Sequence, residues 1–229
     1  GLPIADVCLI LEGTYPYVRG GVSTWVHQLI TGLSDLTFSL LLISTRRDEA
    51  RHAEYELPKN VVSFVEVYIQ DTIDDRGQQC PAHAKNEAWG HVRAFHEGDE
   101  AKRLLAIGAL LDSVAEHQSL SVHDALFSSE AWSFVTERYE EKAAGTSFID
   151  WFWTWRSVHA PLLQTLISEI PPARVYHAIC TGYAGLLGVV AKRRTGRPLV
   201  LTEHGIYVRE RTIDIGRAEW IYEEPVRIR

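Results

Sequence analysis

The chain has 229 residues, 46% of them hydrophobic, enough for one substantial core, and this size reads as one large domain with an insertion rather than two small domains. A net charge of −7, with basic residues only in short pairs such as Arg46-Arg47, excludes a nucleic-acid groove, which needs a clustered Lys/Arg surface. Cys8, Cys80 and Cys180 are odd in number and widely spaced, so neither a disulfide framework nor a zinc cluster follows from them, and no apolar run reaches the roughly 18 residues of a membrane span; a soluble protein of a reducing cytoplasm is expected.

Val7-Cys8-Leu9-Ile10-Leu11 is an unbroken apolar run, the pattern of a strand covered on both faces in a parallel sheet. A turn-rich stretch from Glu12 to Gly21 leads into a helix whose apolar stripe is Val22, Trp25, Val26, Leu29, Ile30 and Leu33. Phe38–Ile43 predicts a second buried strand and Val61–Val67, rich in β-branched residues, a third, with a polar connection over 45–59 between them. From about Cys80 to Ile170 the pattern is helical, with one stripe through Leu104, Ile107, Leu111 and Val114 and another through Trp151, Trp155, Leu162 and Leu166. Arg174–Ile179 then predicts a strand, Tyr183, Leu186, Leu187 and Val190 mark a helix, and Pro198–Thr202 a last strand. Strands alternating with helices imply an α/β fold, a Rossmann-like and mainly parallel sheet with right-handed crossovers, interrupted by a helical insertion at about 80–170.

In such a sheet ligands collect at the carboxyl ends of the strands, where loops meet helix N-termini. Gly20-Gly21, just before the first helix, would let a diphosphate approach its free N–H groups; paired glycines in that position also serve as plain turn punctuation. A third glycine at dinucleotide spacing is absent, which counts against a nicotinamide or flavin cofactor. His204 and, one strand over, His177 stand where an imbidazole can reach a sugar hydroxyl, or simply cap a loop. Glu12 and Glu203 read either as an acid/base pair across one cleft or as acceptors for loop and helix amides. No close histidine pair with an accompanying carboxylate suggests a metal site. In the tryptophan-rich segment, Trp151 and Trp155 read as core and Trp153 as a surface contact.

Asp6 to Tyr17, running into Gly20-Gly21-Val22-Ser23 and Trp25-Val26-His27, resembles the PelF family of Pel exopolysaccharide synthesis, and so does Leu201–Tyr207 with Arg209-Glu210-Arg211. These blocks lie at opposite ends of the chain, while the helical middle matches only loosely. PelF-type proteins are similar to the retaining family 4 glycosyltransferases, whose GT-B fold faces two Rossmann-like domains across a cleft. The resemblance implies that residues 1–229 form the N-terminal, acceptor-side domain. It places Gly20 and Gly21 beside the donor diphosphate and His204 on the transferred sugar; Val22 is a further candidate for the donor side, and Glu203 and His177 are further catalytic candidates. Glu12, Tyr17, Arg19, Tyr207 and Arg209 would line the acceptor side.

In these enzymes a second domain carries most of the nucleotide contacts and a spaced pair of glutamates that this chain lacks, so the chain alone is expected not to transfer sugar. The expected function is transfer from a UDP-sugar donor to a growing polysaccharide acceptor, without a metal, in the cytoplasm, with inner-membrane proteins of the Pel machinery as partners. Two other readings stand beside it: a non-catalytic binding or scaffold module of an export complex, and a nicotinamide-dependent oxidoreductase, which the incomplete glycine fingerprint disfavours.

Overall fold

The apolar runs of the sequence pair edge to edge as strands, and the striped segments lie between them as helices. The computed structural model describes residues 1–48, 50–70, 80–117, 120–205, 209, 212 and 213. In chain order the elements are β1 (Ala5–Glu12), α1 (Gly21–Gly32), β2 (Phe38–Ser44), β3 (Val61–Tyr68), α2 (Ala82–Glu97), α3 (Glu100–His117), α4 (Val122–Phe127), α5 (Ser129–Lys142), α6 (Phe148–Ile167), β4 (Ala173–Ala178), α7 (Tyr183–Thr195) and β5 (Leu199–Leu201). They group into two compact units, one made of Gly1–Asp71 with Ser168–Glu210 and the other built on Thr72–Ile167.

The first unit is an α/β layer structure around a five-stranded sheet of order β3-β2-β1-β4-β5, and every pairing in it is parallel. Interior strand β2 is buried along its whole length, which is why it reads as a continuous apolar run with no alternation. Side chains alternate across the sheet. Leu9 and Leu11 of β1 join Leu40 and Leu42 of β2 in a core closed by Val26 and Ile30 of α1. On β4, His177 faces Trp25 of α1, whereas its neighbour Ala178 faces Gly188 of α7. The two helices therefore cover opposite faces of the sheet. Gly188 allows the close approach: a Cβ there would meet Leu199 Cδ1 at 2.7 Å and the Ala178 Cβ at 3.4 Å. Helix α7 ends at Gly196 in the left-handed region (φ 67°), with Lys192, Arg193 and Arg194 in its last turn against the negative end of the dipole.

This strand order has one reversal. The chain goes outward from β1 to β2 and β3, then returns to the other side of β1 for β4 and β5, so the crossovers diverge between the carboxyl ends of β1 and β4. A crevice opens at such a switch point, because the two following helices leave it in opposite directions.

The second unit is all helical over its described residues. Ser121 and Ser128 cap α4 and α5 by accepting from Asp124 N and Ala131 N. Phe134 of α5 is fully buried between Trp89 and His96 of α2 and Trp155 of α6. The Trp151/Trp155 stripe lies inward and Trp153 is 60% exposed, but two leucines expected on buried stripes are not buried. Leu104 is 67% exposed, since burial on α3 begins only at Ala106, and Leu162 lies at the surface while Leu163 and Leu166 face inward. Periodicity identifies the apolar face of a helix but not how far along it a neighbour reaches. No described helix is long and apolar enough to cross a membrane.

Candidate functional site

At the switch point lies a cavity of about 340 Å³ lined by Leu11, Glu12, Thr14, Val22, Ile179, Cys180, Glu203, His204 and Gly205. The ends of β1, β4 and β5 and the start of α1 all contribute, which is the range of size and setting of small-ligand sites in open α/β sheets.

Two helix N-termini flank this crevice and are treated differently. Alternation along β1 turns Glu12 towards α7, and its Oε1 accepts from Ala184 N at 2.7 Å. Gly182 supplies no side-chain cap, so Glu12, distant in sequence, satisfies an amide of the first turn of α7. Helix α1 also lacks a side-chain cap at Gly20, and a Cβ added at Gly20 or Gly21 would meet nothing within 4 Å. That N-terminus is sterically open. Gly20 has an extended backbone (φ 171°) that any residue adopts, so what the glycine pair provides is space rather than unusual conformation. Conformation matters instead at Gly13, whose φ of 61° falls where a side chain is strained.

His204 and Glu203 line the cavity. The His204 ring stands edge-on to Trp25 with centroids 4.9 Å apart, so an α1 indole fixes one side of the imidazole. Glu203 accepts from Thr181 Oγ1 at 2.9 Å, joining the loops after β4 and β5. His177 lies beyond the lining. Its Nε2 is 2.7 Å from Thr202 Oγ1 and its ring packs edge-on to the same Trp25, while burial first and the nearby His204 second hold its pKa below the ordinary histidine value. A neutral His177 bridging β4 to the loop after β5 is a support for His204 rather than a group at the cavity wall. Cys180 does line the wall, but burial and the Glu12 carboxylate push its thiol up to about 12, which removes it as a thiolate nucleophile.

The expected acceptor-side residues separate. Glu12 lines the cavity, as does Val22, which is expected on the donor side. Tyr17 and Arg19 turn the other way, towards the segment between β2 and β3. The Tyr17 hydroxyl donates to Glu66 Oε2 at 3.4 Å with its ring packed on Phe64, and Arg19 pairs with Glu54 at 2.8 Å. The cause is the turn at Thr14, whose carbonyl accepts from both Tyr17 N and Val18 N and curls the chain away from the β4 side. Arg209 is exposed, and Tyr207 lies outside the described residues. Thr181 and Cys180 are legible in the sequence only as loop residues, and Trp25 as a stripe residue within the block that carries the family resemblance. Among the described residues no group of three or more His, Cys, Asp or Glu could hold a metal ion.

What the arrangement offers chemically is an open helix N-terminus for an anion, an oriented imidazole for a hydroxyl, and two carboxylates in the same lining.

A family model described as Domain of unknown function (DUF3492) matches residues 5–228, and the chain belongs to that family. No curated protein and no solved structure matches it.

Proposed function

We propose that this member of the DUF3492 family is the N-terminal Rossmann-like half of a retaining GT-B glycosyltransferase of PelF type, moving a sugar from a UDP-sugar donor to a growing exopolysaccharide in the cytoplasm. The observation that carries the reading is the shared crevice: Val22, in the first turn of the uncapped helix α1, and the imidazole of His204 line one cavity at the switch point. An anion held by α1 amides and a sugar hydroxyl held by His204 are the two ends of a sugar diphosphate. The leaving diphosphate gains negative charge in the transition state, so fixed N–H dipoles stabilise it more there than in the ground state.

In this reading His204 orients the transferred sugar, His177 and Trp25 hold the His204 ring, and Glu203 accepts from a sugar hydroxyl. Nucleotide contacts and the remaining cations belong to a second domain. The test is a donor-hydrolysis screen of the intact protein across UDP-hexoses and UDP-N-acetylhexosamines, with His204→Ala beside wild type. Turnover should fall by about 100-fold or more, the scale of losing a positioned transition-state contact, while UDP affinity changes less than about threefold. Wild-type inertness towards every donor, or a His204→Ala variant of normal turnover, would refute it.

One observation favours a second role for the helical unit. Trp132, Ile149 and Trp153 are more than half exposed on α5 and α6, and Trp132 touches Phe148 and Phe152, a cluster suited to the scaffold reading in which this unit recruits partners of an export complex. Pull-down by the isolated α/β unit as strongly as by the intact protein would count against it.

A further inference from the structure

We infer that Arg51 is a positioning residue for the β1–α1 loop, and that through this loop it sets the anion-facing end of the cavity. The segment between β2 and β3 reads in the sequence as a polar connection, yet its Arg51 guanidinium joins three strand ends. Nη2 donates to the Gly13 carbonyl at 2.7 Å, Nη1 donates to Ser44 Oγ at 3.1 Å at the end of β2, and Nη1 lies 3.6 Å from Glu66 Oε1 of β3. The guanidinium carbon also sits 4.1 Å over the Tyr17 ring. Ser44 and Tyr17 both donate to the Glu66 carboxylate, so the cation is enclosed by groups that hold one another.

The position of the Gly13 contact is what gives Arg51 its reach. Gly13 has positive φ, and its amide donates to Ile43 O at 2.8 Å, so its carbonyl is the last atom fixed before the chain leaves the sheet. Thr14, a cavity-lining residue, is next, and its carbonyl organises the turn that carries the chain to Gly20-Gly21. The same connecting segment grips that turn further along: Glu54 N and Tyr55 N both donate to Pro16 O, Glu54 pairs with Arg19, and Tyr55 Oη is 3.0 Å from Thr24 Oγ1 of α1. Arg51 adds a charge-assisted contact to this grip besides the Glu54–Arg19 pair, and it acts on Gly13, the residue before cavity-lining Thr14.

The functional half of this inference rests on the transferase reading; the structural half does not. In the intact protein Arg51→Ala should raise the donor KM about tenfold or more and lower kcat with it, since an ångström of misplacement at a binding loop costs on the order of 100-fold. Arg51→Lys should recover only part of this, because a single ammonium cannot span Gly13 O and Ser44 Oγ as the planar fork does. Amide hydrogen exchange gives a readout independent of activity: Arg51→Ala and Arg51→Lys should both speed exchange across 14–22 while β2 amides stay protected. A purely structural role would instead reduce the amount of folded protein at unchanged KM, and that result, or wild-type exchange across 14–22, overturns the inference. Should wild type turn over no sugar nucleotide, the transferase reading falls and exchange alone decides Arg51.

Discussion

Glu12→Ala removes the carboxylate that caps α7, and its cost can be worked out from one contact. The Glu12 Oε1 to Ala184 N hydrogen bond, 2.7 Å long, joins an anion to an amide at the positive end of a helix. Losing a cap of this kind costs about 1 kcal/mol, and leaving the buried amide with only the weaker Cys180 sulfur as acceptor brings the total to roughly 2 kcal/mol. At about 2–4 °C per kcal/mol for a chain of this size, Tm should drop by about 4–8 °C. Glu12→Gln keeps an acceptor oxygen without the charge and should lose about half as much. The same carboxylate helps raise the Cys180 thiol, so in both variants Cys180 should react with a thiol reagent at lower pH than in wild type while staying above the ordinary cysteine value, because burial is the larger cause. Differential scanning calorimetry and a pH series of thiol labelling measure the two effects. A Glu12→Ala protein melting within about 1 °C of wild type would show that α7 does not depend on this cap.

Gly21→Val places a side chain where nothing of the protein lies within 4 Å, so the melting temperature should change little while donor KM rises about tenfold or more; unaltered donor kinetics would remove the phosphate role of the glycine pair. His96, in contact with His159 and Phe134, is pushed down to about 4, first by burial and then by His159, Arg138 and Arg103. Because its folded pKa lies below the unfolded one, the unfolded chain takes up the proton first as pH falls. The contribution of a neutral His96 is therefore complete above about 6.5 and is lost as pH drops towards about 4. Thermal melts over that window should lose stability less steeply in His96→Gln than in wild type, and parallel curves would contradict the assignment.

Local chemistry made much of the α/β unit legible. The run Phe38–Ile43 has no polar alternation because the strand it forms is covered on both faces, and the α1 stripe through Val26 and Ile30 matches the face that closes the core over Leu9 and Leu11. His204 and Glu203 were identifiable from a single rule, that residues just past a parallel strand meet the crevice, and both line it. The rule fixes the strand end but not the direction in which the following turn curls: His177 bonds Thr202, and Tyr17 and Arg19, which the family resemblance puts on the acceptor side, meet Glu66 and Glu54.

Everything that depends on which strand lies beside which was decided by the tertiary structure. Glu12 and Ala184 are 172 positions apart, and Trp25 meets both His177 and His204 only because β4 and β5 return to the side of β1 opposite β2. Arg51 sits in a connection with no periodicity at all, and its partners Gly13, Ser44 and Glu66 become neighbours only when the ends of β1, β2 and β3 stand in register. Side-chain spacing along a chain encodes which face is apolar, since that follows from the fixed geometry of helix and strand. Strand order is settled by burial and pairing summed over the whole sheet, and no local window of sequence contains that sum.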